Sequence, residues 1–400
     1  MDAVPEPVIL IHYHEIGLKG RNRGRFERQL LTNITRALKG LPRGAVRRLS
    51  GRIILELHPD AGIEAIGERL VDVFGIANFS EAVRVPNAIE HIRAAAWDVV
   101  RQQDFRSFKI AARRGDKNFP LTSEGINRDV GAHVQKFSGA RVKLDDPDLT
   151  CFVEVSYEGA FIYTRKTPGP GGLPVGANER AVSLLSSGID SPVASYKTMK
   201  RGVRLSFVHF HSQPYTNRSS QRNTEELVRV LTRYQYRSTL YLVPFVEIQR
   251  RVMTHAPPGY RVVLYRRVML RIAEAIAERE GAQALVTGES IGQVASQTLS
   301  NIRAIEEATP LPLLRPLSGD NKEEIIDLAR RIGTYDVSIE PYEDCCTVFV
   351  PRHPETRANL KTVREIEPKL DLPPLIEQAL KSTEVKTVKY EPGFVCFRGR

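Results

Sequence analysis

The sequence predicts an α/β protein of more than one domain, mixed α+β in its first part and built on a parallel sheet in its second. Beyond residue 178, short apolar and β-branched runs alternate with amphipathic stretches of helical length, the grammar of a parallel sheet covered on both faces. Before residue 165, strands and helices follow one another without that strict alternation. Between the two parts lies KTPGPGGLPVGA, where Pro168, Pro170, Pro174 and four glycines oppose both helix and ladder. A chain of 400 residues, 42% hydrophobic and 26% charged, suits two or three such domains.

Taken in order, the apolar run at 8–13 predicts a strand, and Phe26, Leu30, Leu31, Ile34 and Leu38 at helical spacing predict a helix over 22–38. A returning strand at 52–57 follows, then amphipathic helices at 63–74 and 89–100 and strands at 107–112 and 150–157. After the proline-rich boundary come strand 181–185, helix 192–200, strand 205–210, helix 223–234, strand 239–244, helix 260–280 and strand 284–287. No internal repeat or low-complexity tract interrupts them.

The formal net charge of +11 suits a polyanionic partner, because clustered cations release counterions from phosphates. Both parts of the chain carry a modest basic excess, so neither is a detachable basic arm. No run approaches the ~18 apolar residues of a membrane helix, and residues 1–10 hold prolines and acids rather than a basic, apolar signal, which predicts a cytoplasmic protein with no membrane partner. Cys151, Cys345, Cys346 and Cys396 are too few and too unevenly spaced for a disulfide scaffold and form no CxxC pair, so reduced thiols are expected, with chemistry open to the adjacent pair.

The sharpest local signal runs from Leu184 and Leu185 through Ser186, Ser187, Gly188, Ile189, Asp190 and Ser191 to Pro192: a buried strand, a small-residue turn, then a helix with proline in its first turn. Amides and hydroxyls at such a junction form an anion site, strengthened by the partial positive charge of the helix start. The string resembles the PP-loop, SGGxDS, of ATP pyrophosphatases, and no Walker A pattern occurs. Lys19, Arg21, Arg23, Arg25 and Arg28 form one phosphate-seeking cluster, opposed only by Glu27, and Arg113, Arg114 and Lys117 form a second. The bland reading of each cluster is a solvated face. Zinc at His12 with His14, or at His209 with His211, is disfavoured because no further ligand lies at useful spacing.

Six segments in order, LIHYHEIGLKGRNRGRFE, VHFHSQPYTNRSSQRN, YRRVMLRIAEAIA, ALVTGESIGQVASQTLSNI, LLRPLSGDNKEEII and IGTYDVSIEPYEDCCTVFVPRHP, together resemble the tRNA 4-thiouridine synthetase family, also called tRNA sulfurtransferases. The resemblance spans about residues 10–354. It implies a ferredoxin-like domain over 1–59, a THUMP domain over 60–166 that binds the tRNA acceptor end, a linker over 167–178 and a PP-loop domain over 179–400. It further implies that uridine 8 of tRNA is adenylated by ATP and its O4 replaced by sulfur. By family position, Leu184, Leu185, His209, Phe210, Arg266, Gly288 and Gln297 go to the nucleotide, Ser186, Ser187, Gly188 and Ser191 to pyrophosphate, and Asp190 and Lys322 to catalysis. Asp190 is also the candidate Mg2+ ligand, since hard cations prefer carboxylate oxygen. Taken alone, His209 would pass for a satisfied core histidine and Lys322 for a solvated helix-start residue.

In the EDCC segment the first cysteine, Cys345, resembles the family position that works in sulfur transfer, because a thiolate can carry or attack sulfane sulfur. Cys346 is the bland alternative, a small packed residue. Many family members add a rhodanese domain, for which the sequence to Arg400 leaves no room. That leaves two routes: Cys345 loaded directly by a cysteine desulfurase, with Cys346 or Cys396 resolving the disulfide, or a separate carrier. An iron–sulfur cluster is disfavoured by the missing CxxC. The resemblance also suggests a homodimer and leaves a role in thiamine synthesis open. Two positions depart from the pattern: Ser187 stands where the PP-loop usually has glycine, and His14 where a small residue precedes the glutamate. The rival readings are another PP-loop base-modifying ligase and a noncatalytic tRNA-binding protein.

Overall fold

The computed structural model describes residues 5–49, 51–341 and 353–391. The chain divides into two compact units, Met1–Pro174 and Val175–Arg400.

The first unit runs β1 (Glu6–His12), α1 (Arg23–Ala37), β2 (Val46–Leu49), β3 (Arg52–Glu56), α2 (Ile63–Leu70), β4 (Asn78–Val85), α3 (Ile89–Val100), β5 (Ser107–Arg114), α4 (Ser123–Ser138), β6 (Arg141–Val142), β7 (Leu149–Ser156), β8 (Gly159–Tyr163) and β9 (Thr167–Pro168). All its strands join one sheet, ordered β2-β3-β1-β4-β8-β7-β5-β6, with β9 on β4. Period-two alternation explains the faces. Val8 and Leu10 pack with Ile54, Ala82, Phe161 and Tyr163 in one core cluster, whereas Ile92, Ala96, Ile126 and Val130 from α3 and α4 build another with Phe108, Val153 and Ile162.

Polar residues are buried in this sheet too. Glu154 on β7 accepts from His12 Nε2 at 2.9 Å and Tyr163 Oη at 2.6 Å, and pairs with Arg52 Nη2 at 2.6 Å. These partners come from β1, β8 and β3, and they hold the Glu154 carboxyl at about 2 although burial works the other way. The same burial, together with the neighbouring carboxylate, pushes the Tyr163 phenol far up.

The glycine-proline segment differs from its sequence expectation. Thr167 and Pro168 do pair, with Phe79 and Asn78, and the chain then lies flush on the turn before β4, with Gly169 N donating to Ala77 O at 2.9 Å and Gly171 N to Ile76 O at 2.8 Å. A Cβ at Gly169 would come within 2.4 Å of Ile76 O, so the glycine permits close backbone contact.

The second unit runs β10 (Arg180–Leu184), α5 (Asp190–Met199), β11 (Arg204–His211), α6 (Ser219–Gln235), β12 (Arg237–Pro244), α7 (Val246–His255), α8 (Arg261–Glu280), β13 (Leu285–Val286), α9 (Leu299–Glu306), β14 (Leu313–Leu314), α10 (Lys322–Ile332), α11 (Tyr335–Ser338), α12 (Leu360–Ile366), α13 (Leu372–Lys381) and β15 (Glu384–Lys389). Its sheet is ordered β14-β13-β10-β11-β12-β15, parallel throughout except for β15, which runs antiparallel to β12. The chain leaves β10 toward β11 and β12 and returns on the other side at β13. This reversal opens a crevice at the carboxyl ends of β10 and β13, where open α/β sheets place ligands. Among the described residues, no helix is long and apolar enough to cross a membrane.

Candidate active site

The turn between β10 and α5 is braced by its own hydroxyls. Ser191 Oγ accepts from Ser186 N at 2.9 Å and lies 3.0 Å from Ser186 Oγ, and Gly188 N donates to Ser186 Oγ at 3.3 Å. Helix α5 starts at Asp190, two residues before the sequence expectation, because Pro192 falls in the first turn, where no intrahelical amide donor is needed. The positive end of α5 therefore faces the crevice.

Asp190 carries the chemistry-bearing contacts of this turn. Its Oδ1 accepts from Lys322 Nζ at 2.6 Å and its Oδ2 from Gln293 Nε2 at 3.0 Å. Lys322 is the first residue of α10, and a capping box between Asn321 and Glu324 sets that helix start and so aims the lysine. The loop after β13 packs directly on the serine turn: a Cβ on Gly288 would stand 2.6 Å from Ser191 N and 2.7 Å from Ser191 Cα. Only glycine lets the two segments approach this closely.

Above these segments opens a pocket of ≈ 1010 Å³, mouth included. Ten residues expected from the sequence line it: Leu184, Leu185, Ser186, Asp190, Ser191, His209, Phe210, Arg266, Gly288 and Gln297. Ser187 and Gly188 stay in the turn beneath without lining it, and Lys322 reaches the site through Asp190. His209 is 4% exposed, with Nδ1 2.9 Å from Leu185 O, which places the proton on that nitrogen and binds the end of β11 to the turn. Two residues on, burial and the neighbouring His209 lower His211 to about 4.

Sequence reasoning missed the apolar wall of Val208, Met269, Leu270, Ile305 and Leu313, and it missed Thr287 and Glu289. The wall residues read as ordinary core, but Glu289 stands in GES directly after Gly288, and an acid at the end of a buried strand was a usable signal. No group of three or more His, Cys, Asp or Glu among the described residues could hold a metal ion. Cys345, Cys346 and Cys396 lie outside the described residues; Cys151 is buried inside the first unit, where burial raises its thiol to about 12.

The basic clusters sit on the first unit. Arg21, Arg25 and Arg28 are exposed, and Lys19 lies over the Phe26 ring at 5.3 Å. Arg23 points inward instead, donating from Nε to Glu27 at 2.8 Å and from Nη2 to Tyr13 Oη at 2.8 Å. Burial and Glu27 push the Tyr13 phenol to about 12. In the second cluster Arg113 and Lys117 are exposed, while Arg114 Nη1 is turned toward Phe119 O at 3.3 Å.

Comparison with known proteins covers nearly the whole chain. Residues 176–372 match the family described as thiamine biosynthesis protein (ThiI), residues 8–80 its ferredoxin-like domain and residues 86–165 the THUMP domain. A probable tRNA sulfurtransferase of Moorella thermoacetica is 47% identical over 388 residues, covering 97% of this chain and 99% of its own. One from Thermus thermophilus is 46% identical, covering 97% and 95%. A crystal structure of a 4-thiouridine synthetase in complex with RNA and bound ATP superposes with a TM-score of 0.87 at 38% identity, covering 96% of this chain and 100% of that one. With full-length identity at this level and the serine turn, pocket and sheet order all in place, the chain belongs to the tRNA sulfurtransferase family.

Proposed function

We propose that the protein transfers sulfur to uridine 8 of tRNA, giving 4-thiouridine, with ATP consumed to AMP and pyrophosphate. The observation that carries this reading is the serine turn at the start of α5, with Asp190 and Lys322 beside it, beneath a pocket lined by the residues expected for a nucleotide. The relatives named as tRNA sulfurtransferases and the RNA- and ATP-bound neighbour support it.

A uridine carbonyl oxygen leaves poorly, so the exchange needs activation. O4 of the uridine attacks the α-phosphorus of ATP, the bond to the β-phosphate oxygen breaks, and pyrophosphate departs. The turn amides and the α5 start receive the charge that grows on the leaving pyrophosphate, and Lys322 supplies a cation at the same place. A Mg2+ ion held by Asp190 and the nucleotide phosphates would neutralise phosphate charge, one or two carboxylates being its usual protein share. Asp190 fits that share with one oxygen once Gln293 or Lys322 releases it.

Sulfur then replaces the adenylate. The terminal sulfur of a Cys345 persulfide, loaded by a cysteine desulfurase, attacks C4 and AMP leaves. A second thiol, Cys346 or Cys396, attacks Cys345 Sγ, freeing the thiocarbonyl and leaving a disulfide for an external dithiol to reduce. Cytoplasmic location, a homodimer and a second outlet toward thiamine synthesis belong to the same reading.

The test separates the half-reactions. Cys345→Ser should still release pyrophosphate from ATP with tRNA, yet form no 4-thiouridine when given desulfurase and cysteine, measured by mass spectrometry of the tRNA nucleosides. Wild-type thiolation by this variant would move the carrier role away from Cys345, and absence of tRNA-dependent pyrophosphate release from the wild type would reject the adenylation step.

A further inference from the structure

Glu289, directly after Gly288 at the carboxyl end of β13, is 4% exposed and lines the pocket. One of its oxygens accepts from Arg266 Nη1 on α8. The other accepts from Arg315 Nε at 2.7 Å, just after β14, and from Thr287 Oγ1 at 3.2 Å. Arg315 is held in turn by Glu306 on α9, Nη1 to Oε2 at 3.1 Å. The series runs cation, anion, cation, anion from the pocket to the surface.

The two arginines stand differently. The Arg315 side chain is 12% exposed and lies outside the pocket lining, whereas Arg266 is 32% exposed and faces into the pocket. A long side chain at a pocket rim samples many rotamers, and an anion that captures it must restrict them. A buried carboxylate locked from behind by Arg315 and Thr287 removes that freedom beforehand, and it can grip a guanidinium by direct hydrogen bonds.

We propose that Glu289 is a positioning residue for nucleotide binding: it holds the Arg266 guanidinium toward the pocket before the nucleotide arrives, and Arg315 keeps Glu289 in place. The proposal rests on the ATP-dependent reading of this site.

The test compares wild type, Glu289→Gln, Arg266→Ala and the double variant by equilibrium ATP binding, by KM and kcat of tRNA-dependent pyrophosphate release, and by thermal melting. Glu289→Gln keeps the shape and removes the charge; it should raise the ATP KM and dissociation constant about tenfold or more while kcat falls less than about threefold. Because Glu289 acts through Arg266, the double variant should bind ATP no more weakly than Arg266→Ala alone. Unchanged ATP affinity in Glu289→Gln, with or without a lower melting temperature, overturns the proposal, as do additive losses in the double variant. Should Glu289→Gln not fold, Arg315→Lys loosens the same carboxylate from behind and must weaken ATP binding. The functional reading fails separately: a wild type that binds ATP but releases no pyrophosphate with tRNA rejects adenylation and leaves the binding comparison decisive, and a wild type that does not bind ATP rejects both.

Discussion

Two buried carboxylates, one in each unit, have nearly the same company and opposite settings. Glu154 is gripped by Arg52, His12 and Tyr163, and Glu289 by Arg266, Arg315 and Thr287. Glu154 has every partner inside the sheet of the first unit, with Arg52 itself 5% exposed. Glu289 has one partner standing in an open pocket. The chemistry of the ion pair does not separate them; the opening does. A closed network can only hold strands together, whereas one that ends in a cavity can orient a side chain toward a ligand.

The comparison breaks first at the serine turn. Asp190→Ala should cut tRNA-dependent pyrophosphate release by at least about a hundredfold, while the melting temperature and tRNA affinity stay near wild type, because Asp190 sits at the rim of the site rather than in a core. Near-normal turnover would remove Asp190 from the catalytic set.

Glu154→Gln should do the reverse, lowering stability by about 3 kcal/mol with ATP affinity unchanged, since the buried Arg52 loses its counter-charge. The pH dependence follows from the depressed carboxyl. With the native group at about 2 against an ordinary 4.5, its stabilisation is complete above pH 4.5 and is lost as pH falls toward 2. Urea unfolding from pH 7 down to 2, with hydrogen exchange to resolve the units, should show that acid loss in wild type and not in the variant. Equal acid sensitivity would mean that Glu154 contributes no linked stability.

The smallest effect belongs to the basic cluster. Replacing the exposed Arg21, Arg25 and Arg28 by alanine should weaken tRNA binding and flatten its logarithmic salt dependence, the slope falling by about one for each phosphate no longer neutralised. Arg23→Ala should leave the slope alone and cost no more than about 1 kcal/mol of stability, its partners being Glu27 and Tyr13. A slope that responds to Arg23 as strongly as to the other three would place its guanidinium on RNA.

The second unit was legible because its strands are short apolar runs: residues 181–185, 205–210 and 239–244 fall within or close to β10, β11 and β12. The first unit hid more. β4 carries Asn78 and the buried Ser80 among its apolar residues, so its alternation reads as noise, and α4 contains Gly125 and Gly131, which depress helical propensity. The five residues of β8 are all buried, and a run that short can be taken for part of either element type. At the site, the motif residues could be found because strand, turn and helix start follow one another in sequence. Glu289 could be noticed as an acid closing a buried strand, but its role could not be read, since that comes from Arg266 and Arg315, which only folding brings to it. In the same way, Arg23 counted as one more cation until Tyr13 and Glu27 claimed it.

The unbroken sheet of the first unit bears on how that unit comes apart. The ferredoxin-like and THUMP matches cover 8–80 and 86–165, yet β4, which starts inside the first and extends to Val85, pairs with β1 on one side and β8 on the other. The two matched modules thus share one sheet, and neither can melt without stripping hydrogen bonds from its neighbour. Calorimetry should see them as a single cooperative transition. Cutting the gene between them would yield fragments with a raw strand edge, prone to stick to one another, rather than two independent domains.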